Sequence, residues 1–341
     1  MNGINLSAFF VGAATMYFAM WAVNILSTPR RTRQQTILGW LMAIWAIACL
    51  KDIVITFPQF YIESVLNYIF IIDGWSAIAY TIIIFELTSV GWTTWRRVLA
   101  LSVPWALFTV LYVLWPTREV LYAYMAFLWC YAWTVVIIAY FKVRRYLCYI
   151  RDNYSNIDDI DISWIKVVFW FCIVSQLAWL AASLQYNAYA DAFYYVLDIV
   201  MWQMVIHYSR NYHPVVIENT PMDDAPLPKR GYPFADILDK VVEEQQLYLN
   251  GDLTLDDLAK ALNTNRTYLS NYFNTVKGQS FYFYINGLRI ERKAVPMIQQ
   301  HPEFTLEYIA AESGFKSIST FRRAFQRHKG MSPGQYRIEI M

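Results

Sequence analysis

Over the first 208 positions apolar residues come in long runs; beyond position 233 they recur every three or four residues between polar ones. The runs at 4–26, 37–57, 65–88, 98–115, 120–141, 163–184 and 192–208 reach or approach the ~17–25 residues that a helix needs to cross a bilayer. The first lacks a basic leading segment and a small-residue cleavage site, so it reads as a retained helix. Between 209 and 233 the pattern lapses into RNYHPVVIENTPMDDAPLPKRGYP, with five prolines, which predicts an extended tether. The expected organisation is all-α: a seven-span transmembrane bundle over 1–208, a cytoplasmic tether over 209–233 and a helical domain over 234–341.

The last domain repeats itself. TLDDLAKAL (254–262) aligns with TLEYIAAES (305–313), and after one added residue YLSNYF (268–273) aligns with TFRRAF (320–325). KGQSFYFY (277–284) then matches KGMSPGQY (329–336) in Lys, Gly, Ser and Tyr. Each copy reads as two helices around a turn. Thr254 and Thr305 stand where helix caps are expected, and Thr254 has Asp257 three residues on. Leu255, Leu258, Ala259, Leu262, Leu269 and Phe273 are the expected buried face of the first copy. Leu306, Ile309, Ala310, Phe321 and Phe325 are that of the second. Asn263 and Gly314 occupy the turns, and both tolerate left-handed backbone. The apolar spacing of 281–299 predicts a connecting helix, in which Pro296 loses a backbone bond to Arg292 and is expected to kink or end it.

The opposite face of each second helix is polar. Thr267, Ser270, Asn271 and Asn274 share one face, as do Ser319, Arg322, Arg323 and Gln326. Such groups reach base edges, Arg suiting guanine and Asn or Gln adenine. No acid occurs between 313 and 338, where Lys316, Arg327, Lys329 and Arg337 lie. Together with Arg266 these are the candidate phosphate contacts.

Charge then orients the chain. Residues 1–228 carry 13 Lys+Arg and 14 Asp+Glu, against 15 and 12 in the shorter remainder, so the net charge of +2 hides a sparsely charged half. Ten basic residues follow the odd-numbered spans (Arg30, Arg31, Arg33, Arg96, Arg97, Lys142, Arg144, Arg145, Arg151, Arg210) and two, Lys51 and Arg118, lie on the other side. The positive-inside rule puts the N-terminus outside and the helical domain in the cytoplasm. A hydrophobic fraction of 57% exceeds the usual ~45–50% and fits a bilayer-embedded half. Trp92, Trp95, Trp115 and Trp164 near span ends read as interfacial anchors.

Enzymatic chemistry finds no foothold. Cys49, Cys130, Cys148 and Cys172 form no CxxC pair, and three lie in apolar runs with Cys148 in a basic loop. They read as reduced packing residues. No nucleotide-binding glycine pattern, paired-His motif or nucleophile elbow is present, so no catalytic residue, metal or cofactor is assigned. Lys51, Asp52, Asp73 and Asp198 fall inside the outer halves of spans, and Glu86 near an inner end. Intramembrane charges have a partner or a task. Lys51 either pairs with Asp52 or Asp73 as helix glue, or the four line an outward-facing sensing pocket.

The repeat, the RIER segment (289–292) and IA..SGF…S.F.R.F….GMSP.QYR (309–337) together resemble the AraC/XylS family of bacterial transcription regulators over about 105 residues, 235–341. The resemblance implies two helix-turn-helix units on a linker helix, with the second helix of each unit in the major groove. It assigns base reading to Thr267, Ser270, Asn271, Ser319, Arg322 and Arg323, and a structural role to GMSPGQYR. Asn271 stands where many relatives have Arg, and membrane spans replace the usual soluble sensor, so no family ligand carries over. The expectation is a regulator held in a bacterial cell membrane, with the membrane half as sensor or anchor. Its expected partners are promoter DNA, RNA polymerase, the lipid bilayer, an unidentified signal and, as a candidate, a second copy of the chain. The alternative is a transporter or membrane enzyme carrying an autoregulatory DNA-binding domain.

Overall fold

The computed structural model describes residues 3–171, 173–174, 177, 188–210, 212, 215 and 231–340. Among these the chain is helical, with one isolated antiparallel bridge, Tyr154–Thr254, outside the helices. It divides into two compact units. The first comprises 1–144 and 162–216; the second comprises 145–161 and 217–341. The short segment 145–161 thus belongs with the C-terminal residues.

The first unit contains α1 (Gly3–Ser27), α2 (Arg33–Lys51), α3 (Glu63–Asp73), α4 (Ser76–Thr88), α5 (Trp95–Leu114), the start of α6 (Arg118–Asn153) and α7 (Ala188–Ser209). Five stretches among the described residues are long and apolar enough to cross a membrane: Asn5–Ser27, Arg33–Thr56, Glu63–Thr88, Trp95–Leu114 and Arg118–Asn153. The expected span at 163–184 lies partly outside the described residues and the expected tether at 209–233 largely so; the run at 192–208 falls within α7. The packing is outward-apolar. Leu99, Val103, Leu107, Val110 and Leu114 form an exposed row at helical spacing along α5, a face that water would not favour.

The stretch Glu63–Thr88 is two helices, broken at Gly74–Trp75. A Cβ on Gly74 would lie 1.8 Å from the hydroxyl of Tyr124, which donates to Ile71 O at 2.7 Å, so only glycine allows this approach. At the end of α4 the fully buried Glu86 accepts from Gly91 N (2.9 Å), Thr93 N (2.7 Å) and Arg33 Nε (3.0 Å), closing the 89–94 turn. Cys148 lies on α6, because that helix continues past the expected end of its apolar run to Asn153.

In the second unit, α8 (Ala235–Glu244) precedes the first helix pair, α9 (Leu255–Ala261) and α10 (Arg266–Thr275). A linker helix, α11, runs over 281–300 to the second pair, α12 (Leu306–Glu312) and α13 (Ile318–Lys329), and α14 (Pro333–Ile340) closes the chain. Two cores flank the linker. Phe281, Tyr284 and Ile285 enter the first with Leu255, Leu258, Leu269 and Phe273. Ile290, Ala294 and Ile298 enter the second with Ile309, Phe321 and Phe325. Pro296 neither ends nor breaks α11. The turn before it, Arg289–Ala294, widens to π-helix, Val295 N donates to Ile290 O, and the helix resumes over Val295–Gln300. A wide turn absorbs the backbone bond that proline cannot make.

Candidate nucleic-acid interface

The two helix pairs share the same cap and turn geometry. Thr254 and Thr305 cap the first helices by accepting from Asp257 N and Tyr308 N. Asn263 (φ 50°) and Gly314 (φ 83°) take the left-handed turn position in each. The next residue of each then bonds back the same way, Thr264 N to Ala259 O at 2.9 Å and Phe315 N to Ala310 O at 3.0 Å. Asn265 and Ser317 cap the second helices. The residue added in the second turn is therefore Lys316. Left-handed Gly278 and Gly330 end the equivalent segments.

The predicted base readers fall on the polar sides of α10 and α13. Ser319, Arg322 and Arg323 are exposed, whereas Thr267, Ser270 and Asn271 are half-buried. Arg322 makes a long contact, 3.8 Å, to Glu307. Arg327 stands exposed with its guanidinium 3.7 Å above the Phe283 ring. Between the two second helices opens a cleft of about 890 Å3, to which Asn274, Arg322, Arg323 and Arg327 contribute.

The other predicted phosphate contacts are engaged within the unit. Lys316 pairs with Asp252. Lys329 meets Glu291 at 2.6 Å and His328 meets the same carboxylate at 3.0 Å. Burial alone would raise the Glu291 carboxyl, but Lys329 and His328 hold it below its ordinary range. Arg337 turns inward and donates to Phe304 O at 2.8 Å, in line with the structural role expected of its segment. Arg266 donates to Asn153 Oδ1 (2.7 Å) and Tyr149 OH (2.8 Å), both on the end of α6.

Arg289, from the RIER segment, is 1% exposed and forms no close ion pair among the described residues, with Asp252 acting on it from longer range. Its guanidinium donates to Tyr248 O (2.6 Å), Asn250 O (2.7 Å), Asn286 Oδ1 (2.9 Å), Ser155 O (3.1 Å) and Ser155 Oγ (3.1 Å). Burial lowers its pKa to about 10, still charged at neutral pH. The planar fork ties 145–161, the loop before α9 and the linker helix together. Sequence reading named the segment but not this task, because three of the five acceptors are backbone carbonyls without a residue signature and Ser155 lies 134 positions away.

Residues 258–338 match the family model described as a helix-turn-helix domain. The C-terminal residues form an AraC-type helix-turn-helix domain. The AraC-type domain also aligns with the HTH-type transcriptional regulator MtrA of Neisseria gonorrhoeae, at 30% identity over 103 residues, 30% of this chain and 32% of that protein. The HTH-type transcriptional regulator YtdP of Bacillus subtilis aligns at 27% over 117 residues, 34% of this chain and 15% of its own. The chain thus spans a third or less of these relatives' length. No solved structure matches.

The first unit holds its own polar cluster. Lys51 pairs with both Asp52 and Asp73, the latter at 2.6 Å, so the structure realises the ion pairing that the sequence offered as helix glue. Beside them lies a cavity of about 300 Å3 lined by Asp52, Tyr61, Asp73, Arg118, Asp191 and Tyr195 among others. Tyr195 OH donates to Asp52 at 2.8 Å and Tyr61 OH to Asp191 at 3.0 Å. Asp198 does not line it. Its carboxylate accepts from Trp45 Nε1 and from Tyr80 OH (2.7 Å) among stacked aromatic rings. Asp191 and the tyrosines escaped sequence reading because only the approach of α7 to Asp52 and Tyr61, which lie between α2 and α3, assembles them.

Proposed function

We propose that this chain is a membrane-embedded transcription regulator, binding promoter DNA through the polar faces of α10 and α13, with the apolar helices as anchor and sensor. The observation that carries the reading is the duplicated helix-turn-helix geometry in a segment that matches the helix-turn-helix family. Supporting the membrane part are the five long apolar helices, the lipid-suited exposed row on α5 and the ten-to-two bias of basic residues. Ser319, Arg322 and Arg323 read bases, with Thr267, Ser270 and Asn271 making the equivalent contacts of the first unit; Arg327 holds the phosphate backbone. The cavity beside Lys51, Asp52 and Asp73 is the candidate place for an external signal.

Chromatin immunoprecipitation of the full-length protein, beside an Arg322→Ala/Arg323→Ala double variant, tests the reading. Discrete promoter peaks that the variant loses are expected. Peaks from neither chain, with both present in the membrane fraction, would overturn it.

A further inference from the structure

The segment 145–161 lies against the DNA-reading side of both helix pairs. Asp158 accepts from Ser317 Oγ at 2.8 Å and from Thr320 Oγ1, and stands 3.5 Å from Arg323 Nη2. Ser317 caps α13 and Arg323 is one of its predicted base readers, so a carboxylate occupies the start of the helix expected to enter the groove. At the other pair, Tyr149 and Asn153 hold Arg266, and Asp152 lies near Asn274. Asp161 lines the cleft between the two second helices together with Arg322, Arg323 and Arg327.

These contacts rest on a fixed footing. Ser155 is fully buried, its N donates to Leu253 O at 3.1 Å, and its carbonyl accepts from Arg289 and Asn286, each at 3.1 Å. Ile150 and Ile157 are buried beside it. The segment carries Asp152, Asp158, Asp159 and Asp161 within ten residues, the charge sign of DNA phosphate. A phosphate backbone and these carboxylates compete for the same cations.

We infer that residues 152–161 are an intramolecular competitor of DNA: Asp158 holds the N-terminal end of α13 and Arg323, Asn153 holds Arg266 at the start of α10, and DNA binding requires withdrawal of this partial mask. This rests on the proposed DNA-binding reading and adds its regulation. The mask includes the last turn of α6, so displacement of that helix moves Tyr149, Asp152 and Asn153 together. That is a route for a signal into the AraC-type domain which does not pass through the 209–233 segment.

The test uses the full-length chain in lipid nanodiscs. Duplexes enriched from a random-sequence pool on the Asp158→Ala chain serve as probe, and affinity for them is compared among wild type, Asp158→Ala, Asp158→Asn and Glu244→Ala. Glu244 is an exposed acid of the same unit and controls for net charge. Asp158→Ala is expected to bind about tenfold tighter than wild type and Asp158→Asn to lie between, with Glu244→Ala near wild type. Equal affinity for wild type and Asp158→Ala, or an equal gain in Glu244→Ala, overturns the mask while leaving DNA binding intact. Enrichment of no duplex by any chain overturns the DNA-binding reading itself. Hydrogen exchange on the wild type gives an independent readout. Amides of 154–161 are expected to exchange faster on saturation with the enriched duplex; unchanged or slower exchange contradicts withdrawal.

Discussion

Single residues decide how tightly the AraC-type domain is held and what it reads. Arg289 satisfies five buried acceptor contacts. Arg289→Ala strands several of them and is expected to cost about 2–4 kcal/mol, read as lost hydrogen-exchange protection across 255–325. Arg289→Lys is expected to recover only part, since an ammonium lacks the planar fork. At the interface, Arg322→Ala is expected to cost about 1–3 kcal/mol on a selected operator and to relax its sequence preference. Arg327→Ala is instead expected to weaken binding to every sequence and to lower the salt slope by about one. Asp239 is a pH probe. Burial pushes its carboxyl up, but Tyr284 and Lys277 bond it and hold it below its ordinary range. The folded state therefore favours the ionised form, and that contribution is present above the unfolded value of about 3.9 and lost as pH falls below it. The difference in protection between wild type and Asp239→Asn is expected to shrink as pH falls below about 4.

At the scale of elements, the two turns are equivalent in backbone but not in surroundings. A Cβ on Gly314 would sit 2.6 Å from Leu249 O, and its φ is 83°. Gly314→Ala is expected to destabilise the domain by more than about 1 kcal/mol. Asn263, with φ 50°, is exposed, so Asn263→Gly is expected to be neutral or slightly stabilising. Thermal exchange profiles of the two variants that move in the same direction would contradict this account. Sequence reading found both turns, the caps of the two first helices and the apolar face of each helix pair, because repeated local chemistry announces them; it named neither Asn265 and Ser317 as caps nor the linker residues that enter the cores. It expected Pro296 to kink or end the linker helix; the helix runs on through a π-turn, whose place depends on where the neighbouring Ile290 and Ala294 must point to reach the second core.

For the whole molecule, the proposed membrane half predicts that the full chain remains in the pellet after alkaline carbonate extraction, and release into the supernatant would contradict anchoring. The larger departure from sequence reading is the membership of 145–161, which a linear division assigns to the membrane half and the contacts assign to the AraC-type domain. Asp158 lies 159 positions before Ser317, its hydrogen-bond partner. No periodicity or composition signal links residues so far apart.

The sequence alone determined the apolar runs, their charge bias, the duplicated helix pairs and the polar faces of the second helices. These follow from period, capping chemistry and turn geometry, which act within a few residues. Only the tertiary structure decided that Lys51 serves Asp52 and Asp73, that Asp198 is satisfied by Trp45 and Tyr80, that Arg289 needs no carboxylate, and that Asp158 rests on the second reading helix. Each of those is a partnership between charges or dipoles distant in the chain, and packing, not local pattern, selects which of several available partners comes within reach.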